Sequence, residues 1–486
     1  MQIRYLRLTG PTLVALAFIA IHNFEPSQAQ HSATDTYAIT NARIVPVIGP
    51  TIDKGTIVIR DGLIAAVGVN VAAPADARVI DGTGLSVYPG LIDTNTSLGL
   101  PQPSPPPTGA ARGVGGGGFG FQAGPGPMAS ALNSSQPAGL QPEIRAEDYI
   151  RSGGTEIESA RNAGITTALT APRTGIFIGQ SALINLAGDN PQVMIVRSPV
   201  ALHIGFTPLR AGGFPNSLMG VFAAIRQMFL DAQRYQEAQR IYARSPRGVR
   251  RPDHDKSLEA LIPVLNRELP VVMYADRQRE IERAISLAQE FKLRAIIAGG
   301  EEGWMVADRL RDAQIPVLLS LNFPRRTTTA SPEADPEPLR ILRARVEAPK
   351  CAGRLASAHV KFAFQSGGLA NMDDFRGNAA RAVESGLASG DAIKALTITA
   401  AEILGAADRL GSLEIGKIAN LTITRGDLLD RNARIAHVFI DGRPVSLRPA
   451  SPGPPATSPG PSPSPSPDAS PPPVAAKSSR RDLLGR

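Results

Sequence analysis

Short runs of alternating apolar and polar residues near both ends of the chain predict small β-strands. In the front part, two apolar runs flank Asp61-Gly62, a dipeptide that favours a tight hairpin turn. The rear part repeats the pattern and has Asp441-Gly442 at the end of its second run. Strands from the two ends can pair beside a central domain, so we predict a small β-sandwich built from residues 36–88 and 410–447.

The centre of the chain, residues 89–409, alternates short apolar strands with amphipathic helical stretches. The predicted strands are residues 165–170, 199–204, 271–274, 295–298, 316–319 and 361–364. Alternation of this kind is typical of an α/β fold in which helices cover a parallel sheet. Because the unit repeats so many times, we predict a barrel.

Two segments are too rich in proline, glycine and serine to pack into a core. Residues 101–142 form a Pro/Gly-rich insertion that would hang over the mouth of the barrel. Residues 448–486 form a disordered Pro/Ser-rich tail, which is typical of an extended spacer. For the tail, a surface tether and a segment without function remain alternatives.

The first 29 residues have the pattern of a secretory signal peptide. Arg4 and Arg7 precede an apolar run at 13–21 that is too short to span a bilayer, and Ser27-Gln28-Ala29 resembles a small-x-small cleavage site. We therefore predict export to the periplasm or the outside of the cell, with an uncleaved membrane anchor as the alternative. The mature chain has no other apolar run long enough to span a membrane.

Composition adds little to this picture. The chain has 486 residues, 43% of them hydrophobic, which is enough for a full-sized core and a second, smaller unit. Its formal net charge of +8 is a mild positive balance, and the sequence contains no pattern of a nucleic-acid-binding module. We therefore predict no nucleic-acid partner.

Four stretches carry a family resemblance. Residues 89–93 read PGLID, and the later stretches 396–405, 410–421 and 438–445 read LTITAAEILG, LGSLEIGKIANL and VFIDGRPV. Together they resemble the amidohydrolase superfamily, in its imidazolonepropionase-like, metal-dependent hydrolase branch, over roughly residues 37–446. The resemblance implies a (β/α)8 TIM barrel with a small β-sandwich built from both chain ends.

The resemblance also implies a metal centre whose ligands this chain largely replaces. In the family, one or two metals are held by two histidines on strand one, a Lys or Glu on strand four, single histidines on strands five and six and an Asp on strand eight. The corresponding positions here are Asn95 and Ser97, His203, Tyr274, glycines on strand six, and Gly367. Neutral Asn, Ser, Tyr and Gly are not zinc ligands. We therefore predict no metal or other cofactor, with zinc only if the family site is rebuilt.

The barrel mouth nevertheless offers candidate site residues. We predict a substrate pocket that includes Asn95, Ser97, His203 and Gln365. Carboxylates can perform acid–base chemistry without a metal, so Asp276 and Glu301, with Tyr274 between them, are the candidate catalytic residues. Alternatively, Asp276 pairs with Arg277 or Arg279, while Glu301 and Glu302 face solvent or cap the following helix. His203 would then have a structural role.

Two classes of function follow. The resemblance implies a hydrolase of non-peptide C–N bonds, as in cyclic amides, or of dipeptides. Because the metal ligands are replaced, we expect a protein that binds a small molecule or partners an intact amidohydrolase-like protein or a second copy of itself. The alternative is an active hydrolase with a rebuilt, carboxylate-based site.

Overall fold

The structure is a computed structural model that describes residues 35–101, 134, 136–209, 214–326 and 337–447. The predicted signal peptide, the predicted tail and most of the 101–142 insertion lie outside the described residues. The strands are, in chain order, β1 (Tyr37–Ile44), β2 (Ile52–Arg60), β3 (Leu63–Gly68), β4 (Arg78–Asp81), β5 (Leu85–Pro89), β6 (Leu91–Thr96), β7 (Ile165–Thr170), β8 (Phe177–Gln180), β9 (Ala182–Asn185), β10 (Ile195–Arg197), β11 (Leu202–Gly205), β12 (Val271–Ala275), β13 (Ala295–Gly299), β14 (Val317–Ser320), β15 (Phe362–Gln365), β16 (Leu421–Arg425), β17 (Arg434–Ile440) and β18 (Arg443–Val445).

The helices fall mainly between the central strands. They are α1 (Thr155–Asn162), α2 (Pro191–Met194), α3 (Leu218–Arg244), α4 (Lys256–Leu265), α5 (Gln278–Glu290), α6 (Ala307–Asp312), α7 (Leu339–Ser357), α8 (Asp373–Glu384), α9 (Ser389–Leu396) and α10 (Ile398–Ile403). Single 3-10 turns occur at Ala146–Tyr149 and Gly303–Val306. In the described part of the chain, none of these helices combines the length and apolarity needed to cross a membrane.

Strands from both ends of the chain share one mixed sheet, in the order β18-β17-β16-β5-β1-β2-β3, with β4 beside β1. The two predicted hairpin turns are confirmed: Asp61 and Gly62 have φ of 51° and 81° between β2 and β3, and Asp441 and Gly442 have φ of 51° and 74° between β17 and β18. A two-residue hairpin with a type I′ turn requires positive φ at both of its central residues. The division of these strands into two layers of a sandwich stays a prediction.

The central strands confirm the α/β class. Strands β11 to β15 pair in parallel, in sequence order, and β6 pairs in parallel with β7. All six strands predicted from the central pattern are present. The segment 177–185 was not predicted: its first half, β8, runs antiparallel to β11, and its second half, β9, runs antiparallel to β7. This one segment therefore borders both central sheets.

One apolar layer connects the central strands. It contains Ile92, Leu169, Leu183, Ala201, Val272, Ile296, Leu318 and Ala363, and Ala400 and Ala401 of α10 pack against it. Between β6 and β15, a side-chain bond from Thr94 Oγ1 to the Phe364 carbonyl (2.8 Å) bridges the two strands. In the described residues, main-chain ladders give two central sheets and no continuous closed barrel. The carboxyl ends of β6, β12, β13 and β15 nevertheless collect around one cavity.

Candidate ligand pocket

A cavity of about 810 Å³ opens at the carboxyl ends of the central strands. Its volume lies in the range of small-molecule sites, and this end of a parallel sheet is where such sites usually form. The polar side chains that line it include Asn95, Arg173, Tyr274, Asp276, Glu301 and Gln365. Most of the residues predicted for the site therefore do meet in one place.

A chain of hydrogen bonds between neutral groups lies against the floor of this cavity. His203 Nδ1 is 3.0 Å from the Tyr274 hydroxyl, and that hydroxyl donates to Asn95 Oδ1 at 2.9 Å. Asn95 Nδ2 donates to Gln365 Oε1 at 2.6 Å, and Gln365 Nε2 donates to the Leu318 carbonyl at 2.7 Å. The neutral chain, as we call these five residues, joins β6, β11, β12, β14 and β15.

All hydrogen bonds of the neutral chain are donated in the same direction, from His203 towards the Leu318 carbonyl. Because the Tyr274 hydroxyl gives its proton to Asn95, it accepts from His203, which places the imidazole proton on Nδ1. His203 is 0% exposed, and its Nε2 has no hydrogen-bond partner within the described structure. Burial lowers the pKa of His203 to about 3, so the imidazole is neutral at physiological pH.

The Tyr274 phenol also stays neutral. Burial raises its pKa to about 12, although the hydrogen bond to Asn95 opposes part of that shift. A phenol with this pKa donates a hydrogen bond at neutral pH and cannot act as a phenolate nucleophile or base. Tyr274 therefore fixes the positions of His203 and Asn95 rather than supplying a charge.

Asp93 is a buried carboxylate directly beneath the same network. It is 0% exposed, and its Oδ1 accepts from the Ser366 amide at 2.9 Å and from the Asn95 amide at 3.3 Å. Its Oδ2 is buried and has no hydrogen-bond partner among the described atoms. Burial raises the pKa of Asp93 to about 6, only partly offset by the bonds from Ser366.

Two further carboxylates form an acidic edge of the cavity. Asp276 follows β12, and Glu301 follows β13 by two residues. Although the Asp276 side chain is exposed towards the cavity, desolvation by the surrounding protein raises its pKa to about 7, and the neighbouring Glu301 carboxylate adds to that shift. The pKa of Glu301 is raised as well, by burial and then by Glu302.

The local backbone holds Asp276 at this edge. A Cβ at Gly299 would overlap Asp276 Oδ1, so the glycine leaves the space that the carboxylate occupies. The helix α5 is capped by other acids: Glu280 Oε2 accepts from the amides of Asp276 and Arg277, and Glu302 Oε2 accepts from the Gln278 amide. The alternative in which Asp276 pairs with a neighbouring arginine is not seen, because the described ion pairs do not include Asp276.

Arg173 supplies positive charge to the same cavity and was missed by the sequence analysis. It lies in the turn after β7, and a Cβ at Gly368 would stand 3.4 Å from its Nη1. No carboxylate lies within ion-pair distance of Arg173 in the described part of the chain. Because this turn matches no sequence motif, Arg173 can be assigned to the pocket only from the folded structure.

The structure corrects the predicted position of Ser97. This side chain is 8% exposed and does not line the cavity. Strand β6 ends at Thr96, whose Oγ1 accepts from the Leu98 amide, and the chain then turns at Gly99, which has φ of 78°. The turn carries Ser97 away from the pocket, whereas Asn95, Tyr274 and Gln365 line it and His203 lies below.

A family model described as the amidohydrolase family matches residues 336–445. No curated protein matches the sequence. Among solved structures, an amidohydrolase from Thermotoga maritima aligns with 24% identity over 85% of this chain and 100% of its own, with a TM-score of 0.69. A prolidase complexed with N-methylphosphonate-L-proline aligns with 16% identity over 85% of this chain and 100% of its own, with a TM-score of 0.51. A Xaa-Pro dipeptidase with methionine in its active site aligns with 14% identity over 84% and 99% of the two chains, with a TM-score of 0.51.

Proposed function

We propose that this chain, which has the amidohydrolase fold and matches the amidohydrolase family model in its C-terminal part, is a small-molecule-binding protein in which the neutral chain stands where relatives hold metals. On this proposal the central strands surround the apolar layer as a (β/α)8-type barrel with one reversed strand, the segment 177–185. The pairing of that segment with both sheets, and the bridge from Thr94 to Phe364, support the arrangement.

The observation that carries the proposal is that Asn95, Tyr274 and Gln365 offer only neutral oxygens, which already accept hydrogen bonds within the neutral chain. Metal ions bind to free lone pairs on nitrogen, sulfur or oxygen. Here Asn95 Oδ1 accepts a hydrogen bond from Tyr274, Gln365 Oε1 accepts one from Asn95, and the Tyr274 oxygen accepts one from His203, so each of these neutral oxygens already uses one of its two lone pairs. His203 Nε2 is left without a partner in the described structure, and one imidazole does not hold a catalytic zinc.

The remaining carboxylates do not complete a metal site. No group of three or more His, Cys, Asp or Glu residues is arranged for a metal within the described ranges. The donor set at the family's metal position therefore does not fit the family's metal.

The charges around the cavity support a ligand with both signs of charge. Arg173 can bind a carboxylate or phosphate group, while Asp276 and Glu301 can bind an amine or a guanidinium group. The neutral amides and the phenol between them offer hydrogen bonds that fix orientation without contributing net charge. We propose a small zwitterionic or aminated molecule as the ligand class.

A second candidate function rests on one specific observation. Asp276 has a pKa of about 7 and lies beside Glu301 in the cavity, which suits a general base at neutral pH. On this reading the chain hydrolyses C–N bonds in cyclic amides or dipeptides without a metal. Tyr274 would orient the substrate in that reaction, because its raised pKa leaves the phenol protonated.

Calorimetric titration with zwitterionic amines and matched neutral amides distinguishes the two candidates. We expect the charged compounds to bind without turnover, and Asp276→Asn or Glu301→Gln to weaken binding about tenfold, the value of one charge-assisted hydrogen bond. Asp53→Asn, at an exposed carboxylate on β2, is the matched control and should leave binding unchanged. Hydrolysis in the presence of a chelator that disappears in Asp276→Asn would replace the binding proposal with the hydrolase.

Two further parts of the proposal come from the sequence alone. Export is inferred from the N-terminal pattern, and a mature protein that begins near residue 30 on N-terminal sequencing would support it. Partnership with an intact amidohydrolase-like protein, or with a second copy of this chain, also stays a prediction, which native co-purification can test.

A further inference from the structure

A second cavity, which we call the basal cavity, opens at the amino ends of the central strands and has a volume of about 550 Å³. Residues just before three strands line it: Arg294 before β13, Pro316 before β14 and Lys361 before β15. Asp276 and Glu301 follow strands of the same sheet, so the basal cavity lies at the opposite end from the candidate ligand pocket. The basal cavity is therefore a separate site from the candidate ligand pocket.

The lining of the basal cavity is strongly cationic. Its charged residues in the described structure are Arg267, Lys292, Arg294 and Lys361, opposed by Glu402. Glu402 is already neutralised, because Lys361 Nζ lies 2.9 Å from its Oε2. The basic side chains therefore exceed the acidic ones by a wide margin in a concave site, where low-dielectric walls concentrate the field.

The unpaired cations are Arg267, Lys292 and Arg294. The described ion pairs include none of the three. Arg294 is held in place by its Nη1, which donates to the carbonyls of Arg267 (3.2 Å) and Glu268 (3.4 Å). These two bonds use one nitrogen of the guanidinium and leave its other donors available, so the site contains one positioned fork and two further cationic side chains.

The backbone beneath the basal cavity supports a role for these side chains. Arg267, Lys292 and Gln314 follow the ends of α4, α5 and α6, and their φ angles are 64°, 53° and 55°. The left-handed position after a helix is usually glycine, because an ordinary residue there costs roughly 1–2 kcal/mol. Here three successive helix ends carry long polar side chains at that position, and all three line the same cavity.

The positions of Arg267 and Lys292 at helix ends also have a purely structural explanation, in which the cations interact with the helix dipole and bind no ligand. This explanation makes a different prediction from a binding role. A cation near a helix C-terminus gains roughly 0.3–1 kcal/mol from the helix dipole. That gain, together with the roughly 0.4–1 kcal/mol that glycine costs through the entropy of the unfolded chain, is about the size of the roughly 1–2 kcal/mol of strain that glycine relieves. A structural role thus predicts little change in any property on substitution by glycine, whereas a binding role predicts that an affinity is lost while stability is kept.

We propose that the basal cavity binds a multiply charged oxyanion, of the phosphate-ester or diphosphate class. Several uncompensated cations favour a ligand that carries more than one negative charge over a single carboxylate. The Arg294 fork matches two oxygens of one phosphate, and the Arg267 and Lys292 side chains can reach the others. The Gln314 amide adds a neutral donor on the same rim. The cavity volume accommodates a small phosphorylated molecule.

Titration of the full chain with pyrophosphate, at an ionic strength held constant with sodium chloride, tests this proposal. We expect saturable binding that Arg267→Gly and Lys292→Gly each weaken by about tenfold. The matched control is His359→Gly: His359 follows α7 with φ of 58° and the same helix-end geometry, and it does not line the basal cavity. His359→Gly should leave pyrophosphate binding unchanged.

The variants must also be shown to be folded. Because glycine relieves the left-handed strain, urea unfolding of Arg267→Gly and Lys292→Gly should stay within about 1 kcal/mol of the parent chain. Arg267→Gln and Lys292→Gln remove the charge without changing the backbone and should show the same loss of affinity. Pyrophosphate that binds no better than chloride, or binding that survives in the glutamine variants, would overturn the proposal.

Discussion

Tyr274→Phe is expected to lower the free energy of unfolding by about 2–4 kcal/mol, because the hydroxyl is the central member of the neutral chain. Its removal leaves the Nδ1–H of His203, which is 0% exposed, without an acceptor, and it leaves Asn95 Oδ1 without its donor. A buried polar group that loses its partner costs roughly 1–3 kcal/mol. The ring itself is retained, so packing in the cavity floor should change little.

Urea denaturation of the two purified proteins measures this difference. Tyr242→Phe is the control: Tyr242 lies on α3, and its hydroxyl makes no hydrogen bond in the described structure. We expect Tyr242→Phe to stay within about 0.5 kcal/mol of the parent chain. Equal stabilities for the two phenylalanine variants would mean that the neutral chain does not exist as described.

The second large effect is the pH dependence of folding stability that the buried Asp93 carboxyl causes. Its pKa in the folded chain is raised from 3.8 to about 6 by burial, so the folded state binds the proton more tightly than the unfolded state. Below pH 3.8, the pKa of Asp93 in the unfolded chain, the carboxyl is protonated in both the folded and the unfolded state and does not lower stability. As the pH rises through that value towards 6, the folded state loses stability, and above 6 the full cost is present. A shift of this size corresponds to about 3 kcal/mol.

Asp93→Asn should remove this dependence. The new side-chain amide keeps an oxygen that can accept from the Ser366 amide, so the contact with the end of β15 survives. Urea unfolding between pH 3 and pH 7 should then show a falling stability for the parent chain relative to the variant, with a total relative change of about 3 kcal/mol. Asp53→Asn, at an exposed position, should run parallel to the parent. Parallel curves for the parent and Asp93→Asn would place the Asp93 pKa near its ordinary value.

Local chemistry explains which parts of the fold the sequence predicted. The Asp-Gly turns were predictable because two residues with positive φ determine them, and the parallel strands because both of their faces are buried and apolar. The segment 177–185 was not, because its strand conformation depends on two partners, β7 and β11, that are distant in sequence. Tertiary pairing decided its structure.

Most of the residues that form the site could be predicted from the sequence, but the hydrogen bonds between them could not. The family resemblance identified Asn95, His203, Tyr274 and Gln365 through the strands that carry them. Nothing in a sequence states that one hydroxyl bridges an imidazole and an amide, because that depends on rotamers set by packing. Ser97 was misplaced because strand β6 ends one residue earlier than the motif suggested. Arg173 was missed because it belongs to a turn with no periodic or motif signal.

The metal content of the purified chain tests the central claim most directly. The protein should be produced in medium supplemented with zinc and manganese, passed through gel filtration and measured by elemental analysis. Because Asn95, Tyr274 and Gln365 offer only neutral oxygens that already accept hydrogen bonds within the neutral chain, we expect less than about one-tenth of a metal ion per chain. One zinc or manganese ion retained per chain, and lost in His203→Gln, would contradict the account.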